Sequence, residues 1–349
     1  MIVSEQPRDV DARAAQPKAH RARIAHALGH PLFRPVAALA ALLLIDLLLI
    51  PGFFRLEVKD GHLYGSLVDI VNRAAPLMLA AIGMTLVIAT RGIDISVGAV
   101  VALSGTVAAM LVTDSTALPL ALVAALGAAL ACGLWNGILV ACLGLQPIVA
   151  TLTLMVAGRG VAQLLTDGQI VTVYHAPYFY LGSGYLAGLP FSLFVVAAVG
   201  GITALLLRHT ALGLFIQAVG INPVASRLAG IRTTALVLFV YVFAALCAGM
   251  AGLMISSNVK SADANNAGLM LELDAILAVT LGGTSLAGGR FTLAGSMIGA
   301  LIIQTLTYTI YSLGVPPEVN MVVKAIVVFL VCISQSEQFG ITRKSGAAA

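Results

Sequence analysis

Asp94 stands between two uncharged runs, flanked by Gly92 and Gly98 and preceded by Arg91. A carboxylate in such surroundings is expensive unless it is paired, hydrogen-bonded or wetted by an aqueous cavity. Three uses fit its position: capping the helix that follows, pairing with Arg91, or contact with a polar solute. Asn136, which follows the only tryptophan, Trp135, and Gln146, which precedes Pro147, carry amides that either join neighbouring helices or line a cavity. A denser polar stretch, Lys260 to Asp274, holds Asp263, Asn265, Asn266, Glu272 and Asp274 around Gly268. Such groups can hydrogen-bond a hydroxylated solute or a docked protein, and an ordinary solvated loop has the same composition. All of this is non-covalent chemistry. The six histidines are scattered without metal-ligand spacing, and Cys132, Cys142, Cys247 and Cys332 sit in apolar surroundings as packing residues, so neither a metal enzyme nor a bound cofactor is expected. The phosphate-cradling G-x-x-x-x-G-K-[ST] loop is also missing, so ATP, if it drives anything here, is hydrolysed on another chain.

The elements that must position these residues are membrane helices. Hydrophobic residues make up 60% of the 349, and charged ones only 10%, against the roughly 25% a soluble domain carries. Between Ala74 and Leu207 the only charges are Arg91, Asp94, Asp114, Arg159 and Asp167. A helix needs about 20 apolar residues to cross a hydrocarbon core of roughly 30 Å, and several runs reach that length. Successive runs fall near 35–53, 74–90, 95–112, 118–140, 148–165, 191–207, 235–257, 271–281, 291–311 and 319–333. The eighth is short and ends in Gly282-Gly283, the pattern of a broken or re-entrant element. The expected fold is therefore all-α, a polytopic transmembrane bundle of about ten spanning helices with broken segments.

Charge orients the bundle. The stretch 208–234 carries Arg208, Arg227 and Arg232 without an acid, which by the positive-inside tendency makes it cytoplasmic. Ten crossings put both tails, residues 1–34 and 336–349, on that same side, around a transmembrane domain of residues 35–335. The net charge of +4 is concentrated in these ends and loops and is no sign of nucleic-acid binding. Tyr174, Tyr178, Phe179, Tyr180 and Tyr185 then face outward, as an interfacial belt or the rim of a docking surface. Thr90, Gly92 and Gly98 recur as Thr280, Gly282 and Gly288 at a constant offset of 190 residues, which is either a structural repeat or coincidence. Gly133 and Gly137 permit close helix packing. Within 212–231, Asn222 or Pro223 can start a short helix with Ala225, Leu228 and Ala229 on one apolar side. Such a helix either rests on the membrane or is gripped by another protein.

Several motifs in order carry a resemblance: Ala81 to Ile88 leading into Gly92 to Gly98; Trp135-Asn136-Gly137; Gln146 to Leu152; Ala218 to Ile231; and Leu281 to Arg290. Together they cover about Val68 to Val331, and the chain resembles the permease subunits of bacterial monosaccharide ABC importers of the ribose, xylose and arabinose branch. Further similarity to galactofuranose importer permeases runs through Asp69 to Pro76 and Ser261 to Gly268. The resemblance implies a ten-helix inner-membrane subunit with no catalysis of its own. It would pair with a second permease subunit, an ABC ATPase (separate or fused as a double ATPase) that holds ATP and Mg, and a periplasmic or extracellular sugar-binding protein. It also implies that Gly220, Asn222, Pro223, Ala225, Arg227, Leu228 and Gly230 form the coupling surface for the ATPase, although Ile221 replaces a glycine common in that pattern. Asp94, Asn136, Gln146, Asp263, Asn265 and Asn266 are the candidates for the translocation path or its mouth. The alternative is an ATP-independent carrier or channel.

Overall fold

In the computed structural model the described residues are 32–59, 61–316, 319, 321–326 and 329. The expected tails, 1–34 and 336–349, fall outside them except for Leu32 to Arg34. The long helices are α1 (Phe33–Leu49), α2 (Ser66–Ala89), α3 (Val97–Thr113), α4 (Leu118–Gly137), α5 (Pro147–Leu165), α7 (Phe191–His209), α10 (Thr233–Val259) and α12 (Leu293–Ser312). Shorter ones are α6 (Ala176–Ser183), α8 (Leu212–Ile221), α9 (Pro223–Leu228) and α11 (Leu271–Leu281). Residues 321–326 are again helical. Among the described residues, six helices are long and apolar enough to cross a membrane alone, namely α2, α4 with its terminal π-turn Ile138–Cys142, α5, α7, α10 and α12.

Helix ends follow local chemistry. Pro119, Pro147 and Pro223 lie in the first turns of α4, α5 and α9, where the missing N–H removes nothing the helix needed. Lys260 and Met270, both in the left-handed region, end α10 and begin α11. The helix expected from Ala74 starts at Ser66 instead, because Asp69 and Arg73 form an i,i+4 ion pair at 2.8 Å on its exposed first turns. The charges mark the wet end of the helix without stopping it.

α10, 27 residues and about 40 Å long, is the hub against which α2, α3 and α4 pack. Small residues make the approach possible. A Cβ on Gly83 would lie 2.7 Å from Ala244 Cα, and one on Gly133 would lie 2.7 Å from Val242 Cα. α1 attaches through buried Asp46, whose carboxylate accepts the Thr309 hydroxyl of α12 at 2.6 Å.

Beside the expected helices, three two-stranded ladders occur among the described residues: β1–β2 (Glu57–Lys59, His62–Tyr64), β3–β6 (Val171–Thr172, Ser261–Ala262) and β4–β5 (Tyr185–Leu186, Leu189–Pro190). They gather at one end of the bundle, the hairpin end, where Leu63 N–H donates to Gly188 O at 2.9 Å. The α8–α9 corner lies at the other. Of the five aromatic residues expected to face outward, as a belt or a docking rim, Tyr178 is buried, Tyr185 packs on His62 with ring centroids 4.5 Å apart, Lys260 sits over Phe179, and Tyr174 and Tyr180 are exposed, at 88% and 42%.

Candidate functional site: an interrupted polar path through the bundle

Two breaks meet in the middle of the bundle. The first, Thr90 to Ser96, interrupts the descent of α2 and the return of α3; the second, Ser261 to Met270, turns back from the hairpin end into α11. Along α10, Tyr241 lies beside Gly92 and Gly252 beside Val101, so these two positions bracket the start of α3 near the helix midpoint. There Gly98 touches Gly268 and the Glu272 carboxylate, leaving no room for a Cβ. α11, 11 residues and about 16 Å long, covers half a bilayer core, so its N-terminus and that of α3 both end inside the bundle. Half-helix N-termini at that depth expose unsatisfied N–H groups and positive dipole ends.

Asp94 is 2% exposed, and its Oδ1 accepts the Ser96 backbone N–H at 2.9 Å and the Ser96 hydroxyl at 2.6 Å. It holds the turn that starts α3. It does not pair with Arg91, whose guanidinium instead donates to the carbonyls of Ile221 and Ala287. Asn136 Nδ2 donates to Ser96 Oγ at 2.8 Å, which joins α4 to the break, while its buried Oδ1 has no hydrogen-bond partner among the described residues. Thr151 of α5 accepts the Ile95 N–H at 3.2 Å. Gln146 is exposed at the N-cap of α5 without a side-chain cap bond and stands apart from this cluster.

Toward the hairpin end, Asp263, Asn266, Thr106 and Ser256 line a cavity of about 270 Å³ together with Gly252 and Gly268. The Asp263 carboxylate accepts the N–H groups of Asn265 and Asn266 at 3.0 and 3.1 Å and the Asn266 amide at 2.8 Å. Partial burial alone would push its carboxyl up, but these donors and the nearby Arg159 outweigh burial and hold it below the usual carboxylate range. Asn265 does not line the cavity; its Oδ1 accepts from Gln163 Nε2 at 2.8 Å on the α5 side. Arg159, one helical turn earlier, donates through one nitrogen to the carbonyls of Ala264, Asn265 and Ala267 at 2.9–3.2 Å. Sequence reasoning counts Arg159 only as a charge, because carbonyl partners more than a hundred residues away leave no local signal.

At the corner, Asn222 Oδ1 caps α9 by accepting the N–H groups of Val224 and Ala225, both at 3.0 Å. α9 presents Val224 at 67% and Leu228 at 86% exposure beside Ile221 at 64%. Ala225 and Arg227 are also exposed, and Gly230 adopts φ +87°. Gly220 differs from these candidates. It is buried against Ala89 and Gly289, so its missing side chain lets the corner press directly on the bundle, and it presents nothing outward. A second cavity of about 140 Å³ lies behind α9, lined by Pro223, Arg227, Thr233, Gly92 and Tyr241.

A bundle of apolar helices with broken segments meeting at its centre and an exposed capped helix at one end has the architecture of a membrane permease. The chain belongs to the family described as the branched-chain amino acid transport system permease component, which matches residues 66–332. It is a multi-pass membrane protein of a transport system. Among curated relatives it is 54% identical over 304 residues to the galactofuranose transporter permease of Escherichia coli (strain K12), covering 87% of this chain and 89% of that one. It is 40% identical to the fructose import permease of Bifidobacterium longum (strain NCC 2705), covering 80% and 79%, and 37% identical to the ribose import permease of E. coli K12, covering 87% and 94%. No solved structure matches the chain.

Proposed function

We propose that this chain is the membrane-spanning subunit of an ATP-driven importer of a monosaccharide, galactofuranose, in the bacterial inner membrane. The observation that carries the reading is the 54% identity to a galactofuranose transporter permease across nearly the whole of both chains. The fructose and ribose permeases among the relatives support a sugar as the class of cargo within a family whose description speaks of amino acids.

In this reading the corner end is cytoplasmic and the hairpin end faces outward, in keeping with the basic residues of 208–234. Ten crossings result when α1, α3, α11 and the helix around 321–326 are counted with the six long spans. Both tails then lie in the cytoplasm. α9, with Val224 and Leu228 outward, is the grip for the ATPase, which binds ATP and Mg²⁺; a sugar-binding protein docks at the hairpin end, and a second permease subunit completes the pathway. The cavity beside Asp263 and Asn266, slightly under the ~300 Å³ at which drug-sized pockets begin, suits a small solute with several hydroxyls. Asp94 and Asn136 sit where the two breaks meet and steady the segment that moves. Transport follows by alternating access: closure of the ATPases shifts α8–α9, and the bundle exchanges outward and inward openings. The two states must differ in their affinity for the solute, since a ligand held equally by both shifts nothing.

The substrate is tested by uptake of labelled galactofuranose in cells lacking the gene for this chain, with and without restoring it. Restored uptake that excess galactofuranose suppresses and excess ribose or fructose leaves unchanged is expected. Restoration of ribose or fructose uptake alone would move the cargo assignment to that sugar.

A further inference from the structure

Arg91 occupies a backbone position that an arginine does not favour. It follows the C-cap of α2 with φ +64°, while its own N–H donates to Ile88 O and the next N–H, of Gly92, donates to Val87 O, both at 2.9 Å. This is the helix-ending turn whose left-handed residue is usually glycine, because a side chain there strains the backbone. What offsets the strain is at the far end of the side chain. Nη2 donates to Ile221 O at 2.6 Å and Nε to Ala287 O at 3.1 Å. Ile221 ends α8, so the guanidinium also meets the negative end of that helix dipole.

Three segments converge here. Gly289 N–H donates to Ala89 O at 2.9 Å, and Gly220 packs against both residues with no space for a Cβ. Among the described residues, the Arg91–Ile221 bond is the hydrogen bond by which residues 212–228 of α8 and α9 reach beyond the adjoining stretch 210–233. Three residues after Arg91 comes Asp94, followed by the Ser96–Asn136 bond at the centre of the bundle. The loop 282–292 reached through Ala287 leads back into α11 and α12.

We infer that Arg91 is the positioning residue through which displacement of α8–α9 reaches two segments, the break before α3 and the turn 282–292 between α11 and α12. The inference rests on the reading of α9 as the ATPase grip. A fork with one arm on the corner and one on the loop converts a push on α9 into movement of the turn before α3 and of the turn between α11 and α12. Without it, packing at Gly220 is what remains to link the corner with Ala89 and Gly289.

The test uses the whole complex in vesicles, with ATPase and sugar-binding protein, and two variants. Arg91→Gln removes the fork, and Arg91→Gly removes it while relieving the left-handed strain, so the second keeps or improves folding. Both should retain ATPase co-purification and ATP hydrolysis, with sugar uptake falling about tenfold, so that ATP consumed per sugar rises by about the same factor. Arg91→Lys, which keeps one donor group within reach, should fall between. Loss of association, hydrolysis and thermal stability in proportion to uptake in Arg91→Gly would reduce Arg91 to a structural role. An unchanged ratio of ATP to sugar in both variants would also overturn the inference. Failure of the α9 reading looks different, since wild-type complex would then show no ATP-dependent uptake or would keep its ATPase after disruption of α9.

Discussion

Gly98 shows how little side chain the centre of this bundle tolerates. Its missing Cβ is what lets the Glu272 carboxylate and the Gly268 carbonyl close over the start of α3, and one of those two is backbone that cannot rotate away. Gly98→Ala should therefore cost about 1–3 kcal/mol, the usual range for overpacking, and reduce both thermal stability and uptake. Gly127, in the middle of α4, is the control, since nothing lies within 4 Å of where its Cβ would stand. Gly127→Ala should be neutral or stabilising by up to about 1 kcal/mol, since it removes helix-opposing backbone freedom. Equal thermal shifts for the two would mean that the close approach at Gly98 is not what holds the breaks together. At this scale the sequence is partly legible. Its pattern leaves Asp94 as a cap, an Arg91 partner or a solute contact, and the bonds to Ser96 make it the holder of a turn. The partners of Arg91 and Arg159 are invisible in the sequence because both donate to carbonyls, which every residue carries and which no side-chain pattern marks.

The elements are easier to read than their ends. Long apolar runs match α4, α5, α7 and α12 almost residue for residue, since a helix facing lipid must stay apolar over most of its length. α2 begins eight residues before its apolar run because the Asp69–Arg73 pair supports a helix as well as leucines do. The short α11 is foreshadowed by its length and the glycines after it, but its start against Gly98 is not, as that contact joins residues far apart in the chain. α9 carries the element-scale prediction. Leu228, 86% exposed, contributes little to the fold, so Leu228→Asp should leave the amount of inserted protein unchanged. In a docked ATPase interface the same change forfeits about 1.5–3 kcal/mol of leucine burial before any desolvation of the new charge. ATPase co-purification and uptake should both fall by about tenfold or more. Normal association with normal sugar-stimulated hydrolysis would remove α9 from the coupling surface.

For the whole molecule, the proposed orientation, with the basic corner in the cytoplasm, is measurable by cysteine labelling in a background without the four native cysteines. Ser226 is buried on the inner side of α9 and is a poor reporter, whereas Val224 and Leu228 are exposed there and Ser183 is exposed at the hairpin end. Leu228→Cys should react with an impermeant reagent only from the cytoplasmic side and Ser183→Cys only from outside; the opposite pattern would invert the bundle. The central claim is that this chain moves a monosaccharide only when a separate ATPase drives it. The direct measurement is sugar accumulation in vesicles holding this permease with its ATPase partner and binding protein, compared with vesicles holding the permease alone. Accumulation of galactofuranose against its gradient that needs ATP, the ATPase and the binding protein together is the predicted result, and equal uptake by the permease alone down a solute or ion gradient would contradict it.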